Sequence, residues 1–353
     1  MRRALGLAAR GLGETNPNPA VGCVLVKRGR VVGEGWHRRA GGPHAEVLAL
    51  RAAGARARGA TAYVTLEPCA HHGRTGPCAA RLVEARVRRV VAALRDPFPA
   101  VDGRGLALLR RSGIEVAVGL LATEAARLNE TFLAAARLRR PFVLLKCAAT
   151  LDGRIATAGG QSKWITSPAQ RREARRLRRL YDGVLVGIGT VLADDPGLLP
   201  APRVGRPFHR VVLDSRLRLP PGCRLVRQAR SSPVWAICRR APAVRCRRLE
   251  RLGVRVLMQR GRGGRVGIRW ALRELRRHGV TSLMVEGGSE VLGSFLAERC
   301  VDKLALFRAP LVLGGRHGLP AFGGPDPRRL SDALAVEPGP RPRGGLFEVW
   351  YPR

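Results

Sequence analysis

Lysine is nearly missing from this chain. Of 64 basic side chains only those at positions 27, 146, 163 and 303 are lysines, and the rest are arginines. Acids are also scarce, 26 in 353 residues, which leaves a formal net charge of +38. Such an excess ordinarily points to nucleic acid. Here the arginines are scattered along the whole length among Ala, Gly and Leu, with no recognition helix, zinc finger or aromatic-interleaved basic motif. The excess therefore reads as compositional bias, and no nucleic-acid partner is expected. A diffuse positive field still attracts phosphates and dinucleotides. No apolar run approaches the ~18 residues a membrane helix needs, so no membrane association is expected. Arg10, Glu14 and the Asn-Pro repeat interrupt any signal-peptide core after Arg2-Arg3, and the cytoplasm is the expected compartment. The eight cysteines do not form a disulfide framework in a cytoplasmic chain of this length. Six of them, lacking ligand-like spacing, read as small buried hydrophobes.

Against that background one stretch carries chemistry. It opens His44-Ala45-Glu46 after a Gly-Gly-Pro turn and closes with Glu67-Pro68-Cys69 and Pro77-Cys78. One imidazole and two thiols can hold zinc and leave a fourth position for water. Glu46, two residues beyond the histidine, is placed to move that water's protons and not to bind the metal. H-x-E followed by P-C-x-x-C is the zinc-deaminase signature. This chain has its parts, but with eight residues separating the second cysteine from Pro-Cys69. A structural zinc site closed by His71 or His72 is the alternative.

The elements alternate. Residues 4–12 predict a helix, Val21–Val26 and Val31–Glu34 a hairpin, and His44–Ala57 a helix. Thr61–Leu66 predicts a strand, Cys78–Glu84 a helix and Arg89–Leu94 a strand. Gly105–Arg111, Ile114–Val118 and Leu121–Leu133 follow as helix, strand, helix. This pattern predicts an α/β sandwich whose sheet is largely parallel beyond the hairpin. Arg137-Leu-Arg-Arg-Pro141 marks a boundary between domains at 1–139 and 141–353. Strand-like runs resume at Phe142–Cys147, Gly183–Val186, Arg210–Leu213, Val234–Cys238, Arg255–Leu257, Ser282–Glu286 and Lys303–Phe307, with helices at 168–180, 267–277 and 289–298. A second α/β domain is expected.

Several motifs occur together, in order. They are Pro17-Asn18-Pro19, His44-Ala45-Glu46, Leu66-Glu67-Pro68-Cys69-Ala-His71-His-Gly73-Arg74-Thr75 and Pro77-Cys78. Later come Lys146, Leu151-Asp152-Gly153-Arg154, Ser162-Lys-Trp164-Ile-Thr166-Ser, Gly189-Thr190-Val191-Leu-Ala-Asp194-Asp195-Pro196 and Val285-Glu286-Gly287-Gly288. Taken together they resemble the bifunctional deaminase–reductase family of riboflavin biosynthesis over essentially the whole chain. In that family the long spacing between the cysteines is normal.

The resemblance implies a cytidine-deaminase-like αβα sandwich followed by a dihydrofolate-reductase-like α/β domain, with Zn2+ and NADPH as cofactors. It implies hydrolytic removal of the 2-amino group of 2,5-diamino-6-(5-phosphoribosylamino)pyrimidin-4-one, then reduction of the ribosyl group of the product to ribityl. By matched position, His44, Cys69 and Cys78 would ligate zinc and Glu46 would shuttle protons. Asn18, His71 and Arg74 would contact the first substrate. Lys146 and Asp194 would form a proton-handling pair in the reductase. Ser162, Arg178 and Glu286 would contact its substrate, and Ala149, Trp164, Thr190, Asp194, Ser215, Gly287 and Gly288 its cofactor. The partners would be phosphorylated pyrimidines, and a homo-oligomer is expected. The chain departs from the family at Gly76, where a proline is usual, and after Leu198, where the usual arginine is displaced, so Arg203 is given no role. Two other readings compete. A tRNA or nucleoside deaminase would have Cys-x-x-Cys and no Lys146/Asp194 pair. A basic nucleic-acid-binding protein with structural zinc would release no ammonia.

Overall fold

A computed structural model describes residues 1–70, 76–261, 263–342 and 344–353. Its contacts divide the chain into two compact units, Met1–Leu138 and Arg139–Arg353.

The first unit runs α1 (Arg2–Ala8), β1 (Gly22–Lys27), β2 (Arg30–Trp36), α2 (Ala45–Ala53), β3 (Thr61–Val64), α3 (Cys78–Glu84), β4 (Arg89–Ala92), α4 (Arg104–Arg111), β5 (Glu115–Val118), α5 (Ala122–Leu128) and α6 (Glu130–Arg137). Its sheet has the order β2-β1-β3-β4-β5. β1 pairs antiparallel with both β2 and β3, and β3, β4 and β5 are parallel. The core is built from small residues. Ala45, Ala49 and Ala53 of α2 pack with Cys23, Leu25, Ala62, Val64, Leu82, Val90 and Leu109. Alanine faces bring a helix close to a sheet, so few large side chains carry the burial. Removing one such as Leu82 would cost about 2–5 kcal/mol.

The predicted helix Leu121–Leu133 is broken at Asn129. The Asn129 side chain accepts from the Ala20 amide (2.8 Å) and donates to the Ala20 carbonyl (3.0 Å), as a strand partner would. That carboxamide is 3% exposed, and satisfying it inside the core takes precedence over helix continuity. The bond also anchors the Asn16–Pro19 loop that presents Asn18.

The second unit runs β6 (Phe142–Ala149), β7 (Arg154–Ala156), α7 (Pro168–Arg178), β8 (Gly183–Gly187), α8 (Ile188–Asp194), β9 (His209–Leu213), α9 (Arg224–Arg227), β10 (Val234–Cys238), α10 (Ala243–Arg251), β11 (Val254–Met258), α11 (Ile268–Arg277), β12 (Ser282–Val285), α12 (Ser289–Ala297), β13 (Lys303–Arg308), β14 (Leu319–Pro320), β15 (Val336–Pro338) and β16 (Glu348–Pro352). Nine strands form one sheet in the order β11-β10-β9-β8-β12-β6-β13-β16-β15. The seven strands from β11 to β13 are parallel, and β16 and β15 extend the sheet antiparallel. β8, β10 and β12 are buried at every position. Parallel strands covered on both faces read as continuous apolar runs for this reason. Alternation then divides them between two cores: Leu185 packs with Val143, Leu145, Val211 and Leu275, while Val184 and Val186 pack with Val212, Val226 and Leu249.

Several elements were not expected from sequence, among them α8, α10, β15 and β16. α8 forms where Asp-Asp-Pro predicts only a turn, because Asp195 adopts a left-handed C-cap (φ 41°) and the helix ends ahead of Pro196. α10 carries four arginines over nine residues, and only Leu249 on it is fully buried. β15 and β16 lie in Pro- and Gly-rich sequence at the sheet edge, where Pro is tolerated.

Candidate functional site

In the first unit, β3 delivers Glu67-Pro68-Cys69 from its carboxyl end, His44 is the N-cap of α2, and Cys78 is the first residue of α3. The ligand atoms of His44, Cys69 and Cys78 all lie within 4.8 Å of one another. His44 Nδ1 is 3.2 Å from Cys78 Sγ and 3.6 Å from Cys69 Sγ. Tetrahedral zinc with nitrogen and sulfur ligands has edges of about 3.5–3.8 Å, so the donor set fits that ion. The amide of Cys78, at the start of α3, points at Cys69 Sγ (3.4 Å).

The electrostatics agree. A hydrogen bond from the Cys78 thiol, aided by His44 and the Cys78 amide, lowers Cys69 to about 4 against the opposing effect of burial. Cys78, the donor, is pushed far upward by the same bond and by burial. The pair thus shares one proton that a dication would replace. Burial first, then the Cys69 thiolate, pushes Glu46 up to about 7. Its side chain is enclosed, with the residue 3% exposed.

His37 escaped the sequence reading. It is 3% exposed, and its ring lies edge-on to His44 with centroids 5.5 Å apart. Its Nδ1 donates to the Pro43 carbonyl (3.0 Å), so a neutral ring must accept from Asn18 Nδ2 (3.3 Å) through Nε2. Burial lowers its pKa and favours that neutral form. The only signal was a lone histidine seven residues before His44. His71, His72 and Arg74, expected near this site, lie outside the described residues.

In the second unit, the carboxyl ends of β6, β8 and β12 bring together Lys146, Gly187 and Glu286-Gly287-Gly288. Leu145 pairs with Val285 and Leu185 with Val285, so Lys146 and Glu286 are neighbours on adjacent strands. In open α/β sheets this edge is where ligands bind. The glycines permit a tight approach. A Cβ on Gly187 would lie 2.7 Å from Val291 Cγ2, and one on Gly287 would lie 2.7 Å from Val291 Cβ. Gly288 is the N-cap of α12, and Thr190 Oγ1 is 3.7 Å from where its Cβ would stand. Backbone amides at that helix start suit a pyrophosphate.

Lys146 and Asp194, expected as a proton-handling pair, have different neighbours. Asp194 pairs with Lys163 Nζ at 3.0 Å, whereas Lys146 Nζ lies over the Phe307 ring, 5.4 Å from its centroid. The reason is topological: Lys146 projects from a central strand, and Asp194 ends α8 beside the Lys163–Trp164 turn. Arg178 and Glu286, both expected as substrate contacts, hold each other. Arg178 Nε and Nη2 donate to the two Glu286 oxygens, and Nη1 donates to the Leu199 carbonyl (3.0 Å). Trp164 is 67% exposed, with the Arg171 guanidinium 4.3 Å from the centroid of its ring. The Ser215 hydroxyl accepts from the Val266 amide (3.1 Å). The Ser162 carbonyl accepts from Ile165, and the Ala149 carbonyl accepts from Ala309.

A family model of the RibD C-terminal domain matches residues 141–339, and one of the cytidine and deoxycytidylate deaminase zinc-binding region matches residues 1–94. The riboflavin biosynthesis protein RibD of Escherichia coli is 44% identical over 348 residues, covering 94% of this chain and 92% of its own. The chain belongs to the RibD family. The RibD of Aquifex aeolicus is 43% identical, covering 95% of this chain and 92% of its own. Among solved structures, Acinetobacter baumannii RibD aligns over 100% of this chain and 97% of its own, with a TM-score of 0.88 and 39% identity. A Thermotoga maritima protein described as a diaminohydroxyphosphoribosylaminopyrimidine deaminase/5-amino-6-(5-phosphoribosylamino)uracil reductase covers the same shares at a TM-score of 0.87 and 36% identity. The fold class expected from sequence, a deaminase-like sandwich followed by a reductase domain, is the fold observed.

Proposed function

We propose that each unit carries one of the two activities of a bifunctional riboflavin-biosynthesis enzyme, as the resemblance of the whole chain to RibD implies. The first unit deaminates the diaminopyrimidine phosphoribosyl substrate with Zn2+. The second reduces the ribosyl group of the aminouracil product to ribityl with NADPH. The observation that carries the reading is the convergence of His44, Cys69 and Cys78 beside an enclosed Glu46.

In the deaminase, His44, Cys69 and Cys78 hold the metal. Zinc, when bound, supplies an acidified water at neutral pH. Glu46 works at its carboxylate. A group with a pKa near the working pH can take a proton and return it to the departing amine, an effect worth ~10²–10⁴ in rate. A cation on the three ligands draws that pKa back down, so Glu46 begins ionised. Asn18, aimed by His37, orients the pyrimidine edge, and His71 and Arg74 are its further proposed contacts.

In the reductase, NADPH held at the Gly287-Gly288 turn would supply the hydride for reduction of the sugar. Lys146 delivers the proton to the sugar oxygen, and Glu286, fixed by Arg178, holds the sugar hydroxyls. Asp194, held by Lys163, Trp164, Thr190, Ser215, Ala149 and the Gly287-Gly288 turn cradle the cofactor, and Ser162 contacts substrate. The chain takes small phosphorylated pyrimidines. No described helix is long and apolar enough to cross a membrane. A reducing cytoplasm suits the two thiol ligands, and we expect a homo-oligomer.

The test is a coupled assay on the diamino substrate. Ammonia release should precede NADPH consumption; Glu46→Gln should stop both yet leave reduction of supplied deaminated product intact, whereas Lys146→Ala should slow NADPH consumption and spare ammonia release. Ammonia release that persists at the wild-type rate in Glu46→Gln would overturn the deaminase assignment.

A further inference from the structure

Glu67, the residue that opens Glu-Pro-Cys, is a buried carboxylate. It is 4% exposed, and among the described residues all its hydrogen bonds come from backbone amides. Oε1 accepts from the amides of Gly105 (2.9 Å) and Leu106 (3.3 Å). Oε2 accepts from those of Gly103 (3.0 Å) and Asp96 (3.2 Å). Gly103 is the N-cap of α4, so Gly105 and Leu106 are the second and third residues of that helix. Their amides are the ones a Ser, Asp or Asn at the N-cap would satisfy. Gly103 has no side chain to do so and sits at φ +85°. A carboxylate 36 residues away caps the helix in its place, where the dipole favours negative charge.

The contact continues into the next residue. A Cβ on Gly105 would stand 1.8 Å from the Pro68 carbonyl oxygen, so only glycine lets α4 rest against the peptide that leads into Cys69. The far side of the 95–106 segment is fastened as well: Arg95 donates to the Asp102 carbonyl (2.9 Å), and Asp96 Oδ1 accepts from Phe98 (2.8 Å). Pro68 fixes one backbone torsion between Glu67 and Cys69. Pro68 and the packing of α4 on its carbonyl thus leave little freedom in the peptide between the held Glu67 carboxylate and Cys69.

We infer that Glu67 is a positioning residue for the metal centre: by capping α4 with its carboxylate it fixes the Pro68-Cys69 peptide and so the geometry of the Cys69 thiolate. The inference rests on the zinc reading above. It makes a sharp demand on chemistry. Four donors need four acceptor lone pairs, which a carboxylate has and a carboxamide lacks. Glutamine at 67 has the same shape but turns an NH2 toward two N–H groups, so it is not a conservative change here.

The experiment is cobalt substitution of the full chain, with zinc affinity measured by chelator competition. The wild type should show thiolate-to-cobalt charge-transfer absorption. Its absence would overturn the zinc reading itself, and this inference with it. In Glu67→Gln the band should shift or weaken, and zinc affinity should fall about tenfold or more, as for other groups that orient metal ligands. Gly103→Ala, which strains the cap and meets only the flexible Arg95 guanidinium, should move both readouts the same way by less. It carries the test alone if Glu67→Gln does not fold. Leu109→Ala serves as the control, lowering stability without moving the band. A Glu67→Gln protein with the wild-type spectrum and zinc affinity, whatever its Tm, would show that the carboxylate only stabilises α4.

Discussion

Replacing Arg178 with methionine tests the energetic reading of the second unit. The guanidinium and the Glu286 carboxylate are 13% and 9% exposed as side chains, and they meet in a bidentate pair on the parallel sheet's carboxyl edge. Removing one partner leaves a buried charge uncompensated, which costs about 3–5 kcal/mol. In a unit of this size that corresponds to roughly 6–20 °C in Tm. Four of the five tryptophans, at 164, 235, 270 and 350, lie in this unit, so fluorescence isolates its transition. Burial pushes the Glu286 carboxyl up, but the charge and hydrogen bonds of Arg178, with Lys146, outweigh it and hold the group below its ordinary value. A carboxyl depressed in the folded state adds stability above its unfolded pKa of about 4.3 and loses it as pH falls through the folded value. The wild type should therefore lose stability on acidification below about pH 4.3, and the mutant's deficit should narrow over the same range. Arg178→Met/Glu286→Leu should recover much of the loss, because two apolar groups leave no orphan charge. The reasoning is refuted if Arg178→Met costs under about 1 kcal/mol at pH 7, or if the double variant is no more stable than the single.

The remaining predictions concern the two sites. Cys69→Ser should lose most of its zinc by metal analysis, whereas Glu46→Gln should keep about one zinc per chain and lose deamination by about 10²–10⁴. Lys163→Ala should destabilise the chain by less than about 1 kcal/mol, because its pair with Asp194 is half-exposed. It should nonetheless weaken NADPH binding in a titration, whereas Lys146→Ala should spare NADPH binding and lower kcat. A fragment ending near residue 140 should fold, bind zinc and release ammonia, since the first unit has its own core. A soluble, zinc-loaded but inactive fragment would count against an autonomous deaminase.

What the sequence made legible was chemistry set by residue type at short range. His44-x-Glu46 and the two Pro-Cys steps define a ligand set whatever the rest of the chain does, and the strands β6, β8, β10 and β12 announce themselves as apolar runs. What it hid was set by partners far away. Nothing near Asn129 shows that its amide pairs with Ala20, so the helix break was invisible. Glu67 reads as one letter of a motif until α4 is folded against it. Lys146 and Asp194 look like a pair on a list of motifs, but a strand and a helix end give each a different neighbour. His37 has no motif of its own; only the turn through Pro43 places it between Asn18 and His44.

The two glycines flanking Val291 bear on how this chain can change over time. Gly187 and Gly287 arrive from different strands, yet each is kept bare by the same isopropyl group. Three positions are thereby locked into one joint state. A mutational walk that adds a methyl at either glycine first meets a collision, while trimming Val291 to alanine opens the route at Gly187 alone, because the Cβ that remains still lies 2.7 Å from a Cβ at Gly287. The order of steps matters, and the effect of each substitution depends on which of the others has already occurred. Relatives that carry a side chain at the Gly187 position should therefore carry alanine or glycine in place of Val291, and those with one at the Gly287 position should carry glycine in its place, a pairing to look for among sequences rather than in any single structure.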